Sequence, residues 1–303
     1  MRLLALIIWA LPLFSIAQSV APSPEHLKSI TPLWTGERSA DGRPQVSEKL
    51  LERLKNISVE EAWGFLRNKG YQNQYENDWF ILKPEITMTG RVVTAQYAPL
   101  RPDLEKVWKD KGKEEGRIGA MNSWPIDVLK PGDIYIADGF GKIVDGTLIG
   151  DNLGNAIFAK SKNGVVFNGS VRDIEGLAAI EGFNAFTKGH DPSYIQQMML
   201  SGLNVPIRMG RAFVVPGDVL LAKKGGIVFI PPHLLDELII NSEFVQLRDK
   251  FGHQRLIEGK YTPGEIDTKW TDAIKSDFLT WLDSQKLPMS RSELDNYMKD
   301  RTW

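Results

Sequence analysis

The sequence predicts a mixed α/β fold, in which short strands alternate with helices in packed layers. Two observations carry this prediction. Apolar runs of strand length recur between turns rich in glycine and proline, and segments with helical apolar spacing separate them. The chain of 303 residues also contains no cysteine, which excludes disulfides and thiolate metal sites. We therefore expect an apolar core large enough to stabilise the fold alone.

The amino terminus has the pattern of a secretory signal peptide. Arg2 gives a short positive segment, an apolar stretch of 12 residues follows, and the small residues Ser15 and Ala17 fit a cleavage site. The apolar stretch is shorter than the roughly 20 residues that span a bilayer, and a retained anchor is the alternative. We expect residues 1–17 to be removed and the mature chain to be exported to the periplasm, without membrane contact after cleavage.

The charge balance gives no case for a nucleic-acid partner. The formal net charge at pH 7 is −1, and loss of Arg2 with the signal changes it to −2. Nucleic-acid sites need a surplus of Lys and Arg to neutralise phosphates. We therefore expect no nucleic acid among the partners of this chain.

The first elements follow from local composition. Residues 18–45 are rich in proline, serine and charge and lack periodicity, which predicts an extended arm. Two helices follow, and the second begins with Ser58 as N-cap and Glu61 at the capping-box position. Residues 91–100 then predict a strand. Residues 103–117 predict an exposed helix whose lysines and glutamates form a solvated face.

Two copies of Pro-Gly-Asp each lead into a strand of alternating apolar residues, at 130–138 and at 215–231. These strands are candidates for pairing within one core. Between them the pattern predicts a helix over about 152–161, the strand "GVVFNG" and a helix around 174–181. We therefore expect the most regular α/β alternation in this part of the chain.

We assign residues 46–247 to one domain and residues 248–303 to a helical extension. Within the extension Trp270, Ile274 and Phe278 recur at helical spacing. Such an aromatic stripe is typical of core packing or of a subunit interface. We expect one of these uses for it, and not a ligand site.

Several familiar catalytic patterns are missing from the sequence. No G-x-S-x-G nucleophile elbow occurs, and the four histidines form no metal-binding pair. The glycine-rich stretch 138–146, "DGFGKIVDG", has neither G-x-G-x-x-G nor the G-K-[ST] ending of a phosphate loop. Nucleotide binding is therefore not expected.

One constellation of charged residues remains, in the stretch 149–176. Asp151 is followed by twenty residues and then by Arg172 and Asp173. The strand "GVVFNG" ends just before this pair, and α/β folds bind ligands at the carboxyl ends of strands. There a carboxylate can hold a hard divalent cation, and a guanidinium can bind a carboxylate. The alternative is an ion pair that only fixes a turn.

This stretch, with the flanking "PGDIYIADG" and "VPGDVLLAKKGGIVFIP", resembles the RraA-like family. The family includes the regulator of ribonuclease E activity A and the class II 4-hydroxy-4-methyl-2-oxoglutarate aldolases. Its enzymatic branch is marked by Asp, twenty residues and Arg-Asp, which Asp151, Arg172 and Asp173 match. The resemblance is strong over 125–235 and weaker over 46–124. It implies a layered αββα sandwich of the swivelling β/β/α type with mixed sheets, assembled as a homotrimer or hexamer with active sites at subunit boundaries.

The resemblance also implies a role for each residue of the site. Asp173 would hold Mg²⁺ or Mn²⁺, with waters in the remaining positions. Arg172, a catalytic candidate with Asp151, would bind the 2-oxo acid and stabilise the enolate. Asp151 would shape a turn before a helix that receives the substrate carboxylate. That turn consists of Gly150, Asp151, Asn152 and Leu153.

The implied activity is a metal-dependent lyase that acts on a 2-oxo acid, by retro-aldol cleavage or by decarboxylation. The alternative is a non-catalytic, oligomeric binding protein of the same family. Two features depart from the family. Asn168 stands where Asp is usual, so that a local hydrogen bond or charge is lost, and the secretory signal argues against an intracellular ribonuclease as partner.

Four further residues are weaker candidates. Glu237 and Glu258 are the alternatives for an acid that a neighbouring subunit contributes to the water shell of the metal. His190 and Asp191 follow a strand and could approach the site, although a surface loop is the favoured interpretation.

Overall fold

The computed structural model describes residues 19–299, so the expected signal peptide lies outside the described residues. The strands β1 to β12 are Tyr75–Glu76, Phe80–Ile81, Met88–Pro99, Asp133–Asp138, Thr147–Ile149, Val165–Val171, Ala185–His190, Met198–Leu203, Ile207–Met209, Ala212–Val214, Val219–Lys223 and Gly226–Ile230. The helices α1 to α11 are Pro24–Ile30, Glu48–Leu54, Val59–Asn68, Pro102–Glu114, Trp124–Asp127, Asp151–Ser161, Ile174–Ala179, Leu235–Ile257, Pro263–Ile266, Asp272–Leu282 and Arg291–Lys299. Over these described residues, none of the helices combines the length and apolarity needed to span a bilayer.

Ten strands form one mixed sheet in the order β1-β12-β11-β3-β4-β6-β7-β2, with β5 beside β6 and β8 beside β3. Strands β3, β4, β6 and β7 run parallel, whereas β11 and β12 form an antiparallel hairpin. Strands β9 and β10 form a separate hairpin. The two Pro-Gly-Asp strands, β4 and β11, do not pair with each other, because β3 lies between them.

Alternating apolar side chains arrange this sheet into layers. Leu220 and Phe229 of the β11–β12 hairpin share one buried cluster with Ile134 and Val166 of the parallel strands, between the two halves of the sheet. Helices α2, α3 and α8 cover the outer face of the hairpin. Helices α5, α6 and α7 cover the outer face of the parallel strands. The order helix, sheet, sheet, helix confirms the predicted α/β sandwich with mixed strands.

The amino-terminal arm differs from the extended segment that its composition predicts. Pro24–Ile30 form helix α1, with Ser23 as N-cap and the buried Leu27 on its inner face. The Ser-Pro pair that reads as a loop signal is here an N-cap followed by proline at the first helical position, where proline is favoured. Arg43, which is 2% exposed, then joins the arm to the sheet through Asp133 at 3.0 Å.

The expected boundary between residues 247 and 248 falls within helix α8, which continues to Ile257. The apolar spacing persists there, and no proline or glycine stops the helix before residue 252. Phe251 packs against Trp270 and Phe278, with ring centroids 5.3 and 5.4 Å away. The aromatic stripe therefore packs in a core that the extension shares with α8, which is one of the two expected uses.

The two Pro-Gly-Asp turns have the same hydrogen bond but different charge environments. Each aspartate accepts the backbone N–H three residues earlier, at 3.0 Å for Asp133 and 2.8 Å for Asp218. Asp133 also pairs with the buried Arg43 and Arg91. No basic side chain among residues 19–299 forms an ion pair with Asp218. Burial accordingly raises the pKa of Asp218 to about 7.

We expect Asp218→Asn to remove part of the pH dependence of folding stability. An acid whose pKa is raised by folding holds its proton more tightly in the folded state. The wild type therefore loses stability as pH rises between about 3.8 and about 7. Urea unfolding gives the free energy of unfolding at pH 5 and at pH 8. Between these two pH values it should fall by on the order of 2 kcal/mol more in the wild type than in the variant. The exposed Asp78→Asn is the control, and equal losses in Asp218→Asn and the wild type would contradict the expectation.

Candidate active site

The predicted site residues lie together at the ends of two parallel strands. Ile149 at the end of β5 pairs with Val171 at the end of β6, so the residues that follow each strand meet at one edge of the sheet. The N–H of Arg172 donates to the carbonyl of Ile149 at 3.1 Å. Residues 150–153, which begin α6, are thereby brought beside Arg172 and Asp173.

Arg172 and Asp173 contact each other, and Asp173 also contacts the first turn of α6. Arg172 Nε lies 3.3 Å from Asp173 Oδ2, and the same oxygen accepts the N–H of Asp151 at 3.4 Å. The Asp151 carboxylate accepts the N–H of Asn152 at 2.8 Å, and its carbonyl accepts the side-chain amide of Asn155 at 2.9 Å. These contacts hold the turn in one geometry. That Asp151 shapes the turn for a substrate stays a prediction.

Glycines permit this close approach. A Cβ at Gly150 would overlap with Oδ2 of Asp173, and a Cβ at Gly176 would lie 2.8 Å from Cβ of Asp151. Asp173 itself has φ +55 and occupies the N-cap position of α7. Asp and Asn tolerate this left-handed conformation better than most residues. Around the Arg-Asp pair, the backbone therefore adopts close contacts and a left-handed conformation that few residue types allow.

The site residues line a cleft of about 90 Å³ in which Arg172 and Asp173 remain 39% and 41% exposed. Asn122, Tyr194 and Ile195 also line it, and the sequence did not point to them. Asn122 is held by a hydrogen bond from its side-chain amide to the carbonyl of Leu148 at 2.8 Å. Asn122 lies in a short 3-10 turn, and Tyr194 and Ile195 lie in a loop. Only the tertiary fold brings these segments to the cleft, so no local pattern marks them.

The other sequence candidates lie outside this cleft. His190 is exposed at the end of β7, where its ring packs 5.0 Å from that of Phe80. Asp191 follows it, and its N–H donates to the carbonyl of Val171 at 3.1 Å. Glu237 pairs with Lys69 at 2.7 Å. All three residues lie at the surface and contact other residues of their own chain.

Glu258, the second candidate for a neighbouring acid, is also engaged in its own chain. It accepts hydrogen bonds from Arg255 at 2.8 Å and from Gln254 at 2.7 Å, and these contacts lower its pKa. The hydrogen bond from Gln254 is the larger cause of that lowering. The choice between Glu237 and Glu258 stays open.

Asn168 stands where the resemblance implies Asp, and it keeps a local hydrogen bond. Its side-chain amide donates to Asp138 Oδ1 at 2.8 Å. Its carbonyl accepts the N–H groups of Gly139 and Gly141, at 2.9 and 3.0 Å. A second carboxylate at this position would repel Asp138, whereas the amide binds it. Asn168 therefore anchors the loop that follows β4.

The oxygen donors of the cleft suit a hard cation that keeps most of its water. The cleft contains the carboxylates of Asp151 and Asp173. Between residues 19 and 299, no three His, Asp or Glu side chains come together as a complete metal cage. Zinc sites need three or four protein ligands, whereas Mg²⁺ often binds through one or two carboxylates and several waters. The residues present therefore fit Mg²⁺ or Mn²⁺.

Fold and cleft together define a class of protein: layered α/β sandwiches with an Arg-Asp pair at a strand end, opposite the amino terminus of a helix. The family model described as RraA-like, Aldolase/RraA, matches residues 44–229. This chain belongs to the RraA-like family. The match includes residues 150–153, Arg172 and Asp173, whereas the weaker candidates Glu237 and Glu258 lie beyond it.

Known relatives share part of the chain. An uncharacterized protein of Methanocaldococcus jannaschii is 30% identical over 101 residues, which are 33% of this chain and 48% of the relative. A Xanthomonas campestris protein named "Putative 4-hydroxy-4-methyl-2-oxoglutarate aldolase" is 28% identical over 127 residues, 42% of this chain and 73% of that protein. The chain thus spans about half the length of the first of these relatives. The matches establish the family and leave the activity to be argued from the site.

A solved structure shares the fold. Streptomyces coelicolor RraAS2 is described as an unusual member of the RNase ES inhibitor RraA protein family. It is 22% identical to this chain and covers 70% of it, and the chain covers 100% of that structure with a TM-score of 0.59. At this identity the likeness supports the fold alone.

Proposed function

We propose that this chain is a divalent-metal-dependent lyase that cleaves a carbon–carbon bond of a 2-oxo acid. One observation carries the proposal: Asp173 pairs with Arg172 and also accepts the N–H of Asp151 in the first turn of α6, at the edge of the sheet. A guanidinium, two carboxylates and helix N–H groups therefore surround one small cleft. Family membership and the names of the aldolase relatives support the same chemistry.

Each group has a task that follows from its charge. The N–H of Leu153 in the first turn of α6 binds the substrate carboxylate, because it lies at the positive end of the helix dipole and lacks a helical partner. The N–H groups of Asp151 and Asn152 already donate to the carboxylates of Asp173 and Asp151. Arg172 donates charge-assisted hydrogen bonds to the 2-oxo oxygen as that oxygen gains negative charge. Asp151 keeps the turn in place. Asp173 would hold a Mg²⁺ or Mn²⁺ ion, which would supply Lewis acidity at the 2-oxo group.

The bond that breaks joins C3 and C4 of the acid. Its electron pair moves toward the 2-oxo group and gives the enolate of pyruvate. In retro-aldol cleavage the 4-hydroxyl loses its proton as a second carbonyl forms, and in decarboxylation of oxaloacetate CO₂ leaves. Protonation at C3 then yields pyruvate. No His or Lys lines the described cleft, so we propose that water takes the 4-hydroxyl proton and supplies the proton that C3 receives.

The size of the cleft favours an assembly of several copies. Its volume of about 90 Å³ is well below the roughly 300–1,000 Å³ of typical ligand sites. We propose that a neighbouring copy in a homotrimer or hexamer supplies the missing wall. Sedimentation of the active protein as a monomer would exclude this arrangement.

We further propose that the mature chain acts outside the cytoplasm, as the amino-terminal pattern indicates. A substrate met there would be an imported or extracellular 2-oxo acid. Fractionation of the producing cells should recover a shortened chain that begins near Gln18 in the periplasm. Recovery of the full-length chain in the cytoplasm would contradict the proposal.

The deciding experiment measures pyruvate release from oxaloacetate and from 4-hydroxy-4-methyl-2-oxoglutarate, with Mg²⁺ and then with EDTA. The rate in Mg²⁺ without protein is subtracted, because metal ions alone decarboxylate oxaloacetate. Turnover that EDTA abolishes would support the lyase. A folded chain that binds Mg²⁺ but turns over neither acid would point to a different 2-oxo acid. A chain that neither binds metal nor turns over would favour the non-catalytic binding protein.

A further inference from the structure

A second cavity, of about 490 Å³, shares no lining residue with the candidate active site. Its walls come from residues 30–34 of the arm, residues 71–74, residues 211–218 around and after β10, and residues 231–233. The arm wall lies outside the family match over 44–229. This cavity is therefore built partly by a segment that the family match does not include.

Aromatic rings and prolines form part of the walls. Trp34, Tyr71 and Phe213 line the cavity together with Pro231 and Pro232. Its volume lies within the usual range for small-molecule sites. The faces of aromatic rings carry partial negative charge and attract cations, most strongly where water is excluded. The cavity can therefore hold an apolar body and also favours positive charge.

A buried carboxylate also lines the cavity. Asp218 is 4% exposed, and its equivalent in the other Pro-Gly-Asp turn, Asp133, pairs with Arg43 and Arg91. Asp218 has no such ion pair among residues 19–299. A buried carboxylate without a counter-charge is costly to ionise. A ligand with a positive charge would supply the counter-charge that the chain itself provides for Asp133.

The other charged groups do not reverse this preference. Arg211 lines the cavity but is 60% exposed, and its Nε lies 3.7 Å from Glu76 Oε2. Solvent and this neighbouring carboxylate screen its charge. Burial lowers the pKa of His233, which keeps the ring neutral at pH 7. The unscreened charge in the cavity is thus the negative charge of Asp218 when it ionises.

We propose that this cavity binds a small organic cation, with its ammonium group against Asp218 and its apolar body against Trp34, Tyr71 and Phe213. The ligand class is an amine or quaternary ammonium compound that carries an aromatic or compact apolar group. This site is separate from the lyase cleft, and its occupancy does not depend on the activity proposed there.

Three probes with one ring and different charges test the proposal: benzylammonium, benzyl alcohol and benzoate. Calorimetric titration of the full chain at pH 7.5 should give at least tenfold tighter binding of benzylammonium than of benzyl alcohol, and still weaker binding of benzoate. Equal affinities for all three probes, binding of benzoate alone, or no binding of any probe would overturn the proposal.

Substitutions in the cavity wall test whether the probes bind in this cavity. Asp218→Asn keeps an oxygen that accepts the N–H of Val215, so the turn is retained, and it should reduce benzylammonium affinity to that of benzyl alcohol. Trp34→Ala should weaken both ligands, whereas Trp63→Ala, an exposed tryptophan outside the cavity, should change neither. Undiminished benzylammonium binding by Asp218→Asn would overturn the proposal. Circular dichroism confirms that each variant is folded.

Discussion

Asp173→Asn is expected to reduce kcat for pyruvate release by roughly 100- to 1,000-fold while the chain stays folded. The substitution removes the negative charge that would hold the metal next to Arg172. Loss of one electrostatic group that acts on the transition state typically costs this much. The measurement is kcat and KM for the better of the two acids over a range of Mg²⁺ concentrations.

Asn is the informative replacement because it matches the backbone requirement. Asp173 has φ +55, a conformation that Asn adopts more readily than Ala. Asp78→Asn is the matched control, since Asp78 is an exposed aspartate with φ +61 outside the cleft. The control should keep wild-type kcat and stability.

A purely structural ion pair predicts a different result. In that case Asp173→Asn would lower the free energy of unfolding and leave the affinity for Mg²⁺ unchanged. Retention of more than a tenth of wild-type kcat would exclude Asp173 as the metal ligand. Unchanged stability with lost Mg²⁺ binding would support the lyase mechanism.

The local geometry of the site could be predicted because it depends on a continuous strand–turn–helix pattern. Glycine before Asp151 and the apolar run after it placed a helix over about 152–161, and the structure has α6 at Asp151–Ser161. The strand before Arg172 was predicted in the same way and is β6, Val165–Val171. Parallel pairing of β5 with β6 then brings the two segments together.

The remaining lining residues could not be predicted, because their positions depend on long-range packing. Asn122 reaches the cleft through a hydrogen bond to Leu148, 26 residues further along the chain. Tyr194 lies on an exposed loop with no periodicity. Helix α1 was missed since its Ser-Pro start has the composition of a loop. Pairing across the sheet, which separates β4 from β11, is likewise invisible to a local pattern.

The second large effect concerns Arg43, which should stabilise the whole chain and not only the arm. Its guanidinium donates to Asp41 Oδ2 at 2.8 Å and to Asp133 Oδ2 at 3.0 Å, and Asp133 also contacts Arg91 at 3.3 Å. Removing one partner from a buried ion cluster leaves charge that water cannot solvate. We expect Arg43→Met to lower the free energy of unfolding by about 3–5 kcal/mol.

Methionine is chosen because it keeps much of the apolar volume of arginine, so that the loss reports on charge more than on a cavity. Urea unfolding at pH 7 measures the effect, and Arg101→Met is the control. Arg101 is exposed, and among residues 19–299 its side chain forms an ion pair only with the exposed Asp103. Its replacement should therefore change stability by less than about 1 kcal/mol. A similarly small change for Arg43→Met would mean that apolar contacts such as that of Leu27 hold the arm instead.

A large loss of stability in Arg43→Met would also loosen the arm wall of the second cavity and weaken benzylammonium binding, which Arg101→Met should leave intact.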